Sequence, residues 1–88
     1  ALREYNFNKG FFGANGISIK SGITTPDISE AAVKRTAVEH SNYKYVLADS
    51  AKFDNVSSVT FARIDEVKFI TDKNVADIYK DYDVKVVL

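Results

Sequence analysis

The run from Tyr43 to Ala48 (YKYVLA), closed by Asp49-Ser50, constrains the fold more than any other stretch of the chain. A nearly continuous apolar segment of this length, stopped by polar residues, has the pattern of a central strand buried on both faces. Such strands belong to parallel sheets, and polar residues at their carboxyl ends face the crevice where open α/β sheets hold ligands. Two further runs fit the same sheet. Lys9 to Ala14 reads as a short buried strand ended by the turn signal Asn15-Gly16, and Val67 to Thr71 reads as a third strand. Val84 to Leu88 closes the chain as a fourth.

The segments between them predict two helices. The first runs from Ile28 to Ser41, with Thr25 or Asp27 as its cap, Pro26 in its first turn, and Asp27 and Glu30 at capping-box spacing. Ile28, Ala31, Ala32 and Val38 share one of its faces, but Arg35 falls within it, as suits a helix between two layers or one edging a site. The second helix starts at Asp72 or Asn74 and carries Val75, Ala76, Ile78, Tyr79 and Tyr82 at amphipathic spacing. Ser18 to Thr25 reads as a loop into the first helix, and residues 51–64 as a loop with short helical or extended pieces. This order predicts an α/β fold, a partial parallel sheet of about four strands flanked by helices, with crossover connections. Because the chain opens almost directly into a strand, the sheet reads as part of a larger α/β domain.

Composition narrows the function. Twelve acidic and twelve basic side chains in 88 residues leave no net charge and no Lys/Arg cluster, which argues against direct DNA binding by these residues. Without cysteine, and with a single histidine (His40, read as a surface residue complementing a helix dipole), neither a disulfide framework nor a metal site is expected. No cofactor is expected either: no P-loop, dinucleotide-binding glycine motif or nucleophile elbow occurs. No apolar run approaches a membrane span and ALREYNF is no signal-peptide core, so the expectation is a cytoplasmic protein without a membrane partner.

The residues that can carry chemistry are Asn15, Gly16, Asp49, Ser50, Lys52 and Asp72 at the strand ends, with Thr24 and Thr25 before the first helix. Hydroxyls and N–H groups beside a helix N-terminus suit a phosphate or another anion. Lys52, three residues after Asp49, allows an ammonium to meet phosphate while a carboxylate meets hydroxyls. Each has a plainer reading: the threonines as helix caps, Asp49 as a loop cap, Lys52 as a solvated lysine, and Glu30 with Lys34 as a surface pair.

The order FFGANGI, GITTPDISEAAVKR, YVLADSAKF, FARI and FITD resembles the C-terminal effector domain of the DeoR family of bacterial transcriptional repressors, over roughly Phe7 to Asp72. Within it, the sequence is most similar to lactose and fructose phosphotransferase-system repressors. The resemblance implies that residues 1–88 are the C-terminal portion of an effector domain, the second half of a ribose-5-phosphate-isomerase-like, Rossmann-like fold. An N-terminal helix-turn-helix and the first half of the effector domain would lie outside this chain, and DNA would be contacted only through the former. It implies a sugar-phosphate effector, of the tagatose 6-phosphate or fructose 1-phosphate class, held by Asn15, Gly16, Thr24, Thr25, Glu30, Lys34, Asp49 and Lys52, and a homo-oligomer. Isomerases of this fold carry an Asp where this chain has Asn15 and another where it has Phe12. An amide and a phenyl ring cannot do that acid–base work, so a sensor rather than an enzyme is expected. An isomerase-like enzyme and an oligomerisation module without ligand are the alternatives.

Overall fold

The computed structural model describes residues 5–73 and 75–86. Four parallel strands form one sheet: β1 (Phe7–Gly13), β4 (Ser41–Leu47), β6 (Lys68–Thr71) and β7 (Val84–Val86), in the order β1-β4-β6-β7. The expected parallel sheet is therefore present, and Asn74, Val87 and Leu88 fall outside the described residues. The stretch read as a loop into the first helix instead forms an antiparallel hairpin, β2 (Gly16–Ser18) and β3 (Gly22–Thr25). β3 pairs in turn with β5 (Val59–Ala62) in a second, three-stranded sheet. Gly22 makes its turn possible, with φ +77° and a Cβ position 2.5 Å from the Ala62 carbonyl oxygen. Strands of three or four residues give too short an alternation for the pattern to show in sequence.

Helix α1 (Ile28–Glu39) begins where expected, because the Asp27 carboxylate accepts from the N–H groups of Ser29 (2.7 Å) and Glu30 (3.1 Å). His40 takes the C-cap position, and Ser41 already belongs to β4. The apolar face assigned to α1 is corrected: Ala31 and Val38 are buried, but Ile28 is 74% exposed and Ala32 is exposed too. The inward face instead includes Lys34 and Arg35, tolerated because each charge finds partners there. The second helix is also corrected. Residues 77–79 make only one 3₁₀ turn, held by N–H bonds from Tyr79 to Ala76 O and from Lys80 to Asp77 O. Its proposed cap Asp72 binds elsewhere, and a segment holding Asp77, Asp81 and Asp83 has little helical preference to offset a short length.

The core lies between the parallel sheet, the small sheet and α1, and includes Phe12, Ile17, Ile23, Val38, Val46, Phe61, Phe69 and Tyr79. Alternation along the strands sends Phe12, Val46 and Phe69, which are register partners, to this side. Their neighbours Phe11, Tyr43 and Leu47 point away and are 59%, 51% and 46% exposed, with Phe11 stacked on Tyr45 at 5.1 Å. The strand at 41–47 is thus central in its sheet but buried on one face only, and β1, at the sheet edge, is also buried on one face only, because no described layer covers the second face.

Candidate functional site

Parallel register aligns the strand ends. Gly13 pairs with Leu47 and Leu47 with Ile70, so the residues two positions beyond, Asn15, Asp49 and Asp72, leave the same edge of the sheet. This gathers the polar residues expected at the crevice, and two groups of contacts build it.

The first group joins β1 to α1. The Thr25 hydroxyl lies 3.3 Å from Asn15 Oδ1 and 3.4 Å from Glu30 Oε1. Glu30 pairs with Lys34 at 2.8 Å, and Lys34 Nζ donates to the Gly13 carbonyl at 2.9 Å. The lysine stem is only 20% exposed and its ammonium stands 5.1 Å from the Phe61 ring centroid. Glu30 and Lys34 are thus more than a surface pair, since together they tie the end of β1 to the first turns of α1. Thr24 and Gly16 brace the turn from inside. Thr24 is buried; its hydroxyl donates to Gly16 O (3.1 Å) and accepts from the Ser57 N–H (2.9 Å), while the Asn15 N–H donates to Thr24 O (3.0 Å). A Cβ on Gly16 would meet the Asn55 carbonyl and the Thr24 hydroxyl, so only glycine fits.

The second group follows β4. Asp49 caps a 3₁₀ turn, Ser50–Lys52, by accepting from the Ala51 N–H at 3.0 Å, and its carbonyl accepts from the Lys52 N–H at 3.1 Å. Lys52 is half-buried, with no ion pair among the described residues. Asp72, from the end of β6, accepts from the Ser50 N–H at 2.8 Å, and that bond holds its carboxyl below the ordinary range. Among the described residues no group of histidines and carboxylates is placed to hold a metal ion, and no helix is long and apolar enough to cross a membrane.

Two further pairs were not singled out from the sequence. Arg35 donates to Glu66 (3.0 Å), to Glu39 (2.9 Å) and to the Phe61 carbonyl of β5 (3.1 Å); the bonds to Glu66 and then Glu39 raise the Arg35 pKa. Burial pushes the Glu66 carboxyl up, but the Arg35 bond, the Arg63 N–H and both guanidinium charges together leave it below the ordinary value. The arginine inside an apolar face was the available signal for that contact. Asp54 and Tyr79, joined at 2.6 Å, lie far apart in sequence and gave none.

The family model for the DeoR C terminal sensor domain matches residues 1–73. An HTH-type transcriptional regulator of Bacillus subtilis (strain 168), FruR, whose own role is uncharacterised, is 42% identical over 71 residues, 81% of this chain and 28% of that protein. The regulator IolR of the same organism is 33% identical over 82 residues, 92% of this chain and 33% of the relative. The lactose phosphotransferase system repressor of Staphylococcus epidermidis (strain ATCC 35984) is 36% identical over 75 residues, 83% of this chain and 29% of that repressor. The chain thus spans about a third or less of the length of these relatives, all named as transcriptional regulators. The strand-end turns FFGANGI and YVLADSAKF, the capped helix between them and the match over residues 1–73 make this chain a member of the DeoR C-terminal sensor domain family.

Proposed function

We propose that this domain senses a sugar phosphate and passes its occupancy to the DNA-binding part of a bacterial sugar-metabolism repressor. The observation that carries the reading is the alignment of Asn15 and Asp49 at one sheet edge, with Lys52 in the turn that Asp49 caps. Lys52 neutralises the phosphate, the Asn15 amide and the Asp49 carboxylate meet sugar hydroxyls, and Thr25 presents its hydroxyl to the anion. Glu30 and Lys34 line the site, while Gly16 and Thr24 hold the turn in shape. On this reading the chain is the C-terminal portion of a longer cytoplasmic effector domain, and a helix-turn-helix elsewhere in the protein contacts DNA. Ligand binding then shifts the balance between DNA-competent and incompetent forms by its differential affinity for the two.

Sensing rather than turnover follows from two positions. Asn15 has no titratable group for moving a proton, and Phe12 is a core residue, 8% exposed, on the side of the sheet that faces Val46 and Phe69. The test is to titrate the intact regulator with fructose 1-phosphate and tagatose 6-phosphate while following its melting temperature. A ligand at one hundred times its Kd adds about 2.7 kcal/mol of stability, a shift of many degrees. Lys52→Ala should remove that shift and leave the unliganded melting temperature unchanged. Absence of any shift with either sugar phosphate counts against the sensor, and turnover abolished by Asp49→Ala would establish the enzyme instead.

A further inference from the structure

We propose that Tyr79 and Asp54 form a latch that positions the Asp49–Lys52 turn for ligand binding, making Tyr79 a positioning residue for the candidate site. The inference rests on the sugar-phosphate reading above and adds residues outside the site to it. The turn carrying Lys52 has two anchors. At its start, the Ser50 N–H is held by Asp72 at 2.8 Å. At its end, the Asp54 N–H donates to Ile17 O at 2.7 Å, and the Asp54 carboxylate accepts the Tyr79 hydroxyl at 2.6 Å.

Three features mark the second anchor as more than packing. Asp54 is the only described non-glycine residue with positive φ, at 69°, a conformation that favours Asn, Asp and Gly and that aims its carboxylate at one partner. Tyr79 is 1% exposed, packs edge-on against Phe53 at 4.9 Å, and donates its hydroxyl to the Asp54 carboxylate at 2.6 Å, with the Ile17 carbonyl a more distant acceptor at 3.4 Å; burial and the carboxylate push its pKa up to about 12, so the donor stays protonated under all ordinary conditions. Phe53 sits between Lys52 and Asp54, bridges to Ile17 and meets Phe69 edge-on at 5.6 Å. A displacement of Tyr79 is therefore relayed through one residue to Lys52. The chain after β6 thus acts on the site without contributing to it.

The experiment compares six forms of the intact regulator: wild type, Tyr79→Phe, Asp54→Gly, the double variant combining these two, Asp54→Asn and Lys52→Ala. Tyr79→Phe keeps the ring and removes the donor. Asp54→Gly keeps the turn conformation and removes the acceptor, and Asp54→Asn keeps both. Two readouts are taken: amide hydrogen exchange of residues 50–55 without ligand, and affinity for fructose 1-phosphate and tagatose 6-phosphate. We expect Tyr79→Phe and Asp54→Gly each to speed exchange in that segment and to weaken binding by about three- to tenfold, with the double variant no worse than either alone. Asp54→Asn should stay within about twofold of wild type, since an amide oxygen still accepts the bond. Unchanged exchange, or faster exchange with unchanged affinity, overturns the positioning role. Wild-type binding lost in Lys52→Ala but indifferent to the latch variants overturns this inference and keeps the sensor reading. Wild-type protein that binds neither sugar phosphate overturns both, whatever the exchange shows.

Discussion

Replacing Glu66 by alanine tests whether the attachment of α1 to the turn after β5 is electrostatic. Its side chain is 8% exposed and accepts from Arg35 Nη1 at 3.0 Å and from the Arg63 N–H at 2.8 Å. Two charge-assisted bonds at about 1.5–3 kcal/mol each set a ceiling of roughly 3–6 kcal/mol. Arg35 keeps Glu39 and the Phe61 carbonyl, and at 36% exposure its charge is partly rehydrated when Glu66 is lost. That solvent compensation brings the expected loss to about 2–3 kcal/mol. For a domain of this size the melting temperature should fall by roughly 10–20 °C. The pH dependence has a defined sign. The Glu66 carboxyl is depressed on folding, so its stabilisation is fully present above the unfolded value of about 4.3 and is lost as pH falls through the lower folded value. Thermal melts of both proteins from pH 8 to pH 3 should show a constant gap down to about pH 5 that closes in more acid solution. A gap under about 0.5 kcal/mol at pH 7, or one undiminished at pH 3, refutes the electrostatic account.

Other perturbations have expected outcomes of their own. Asp27→Ala removes the acceptor of two N-terminal amides and should cost about 1 kcal/mol in a urea titration, with an unchanged slope. Gly16→Ala forces a methyl group against the Asn55 carbonyl and the Thr24 hydroxyl, and should destabilise by about 1–3 kcal/mol; an unchanged thermal midpoint would show that the turn yields freely. Asn15→Asp sets a second carboxylate beside Glu30, both reaching the Thr25 hydroxyl, and should weaken sugar-phosphate affinity without creating isomerase turnover, as read by a calorimetric titration and a coupled assay.

The strands of the parallel sheet were legible because their apolar runs are long enough for periodicity to speak: Lys9 to Ala14, Tyr43 to Ala48 and Val67 to Thr71 overlap β1, β4 and β6. The start of α1 was legible because capping is local chemistry, carried by Asp27 and the two amides after it. The β2–β3–β5 sheet was not, since its pairing joins Thr24 to Thr60 across residues whose sequence pattern carries no such information. Nor was the one-sided burial of β4: Tyr43 and Leu47 have the same composition whether or not a layer covers them. The second helix failed for a related reason. Tyr79 has amphipathic spacing with its neighbours and is buried, but Val75 and Tyr82 are only partly buried against the core and Ile78 beside it is 57% exposed. For the site, sequence placed Asn15, Asp49 and Lys52 near strand ends, and only the register between β1, β4 and β6 brings those ends level. The division of Thr24 and Thr25 into one hydroxyl bound inside the turn and one joined to Asn15 and Glu30 required atomic contacts.

The proposed anion site among three carboxylates needs an electrostatic explanation. Glu30 is neutralised by Lys34 at 2.8 Å, Asp49 faces the Ala51 N–H and Asp72 the Ser50 N–H, so each negative charge is engaged locally and Lys52 can meet the ligand. The proposed selectivity for a phosphate then depends on the charge of the ligand more than on titration of the protein. A sugar phosphate passes from dianion to monoanion near pH 6, and its attraction to Lys52 weakens accordingly. Affinity of the intact regulator for fructose 1-phosphate should therefore fall as pH drops from 7 to 5, by up to one proton per ligand. Over the same range the Glu66 contribution to stability holds, so the two effects occupy separate windows. His40 lies at the opposite end of α1 from Glu30, and His40→Gln should leave the profile unchanged. A profile that moves with His40, or flat affinity between pH 7 and pH 5, would mean that the phosphate charge is not what Lys52 reads.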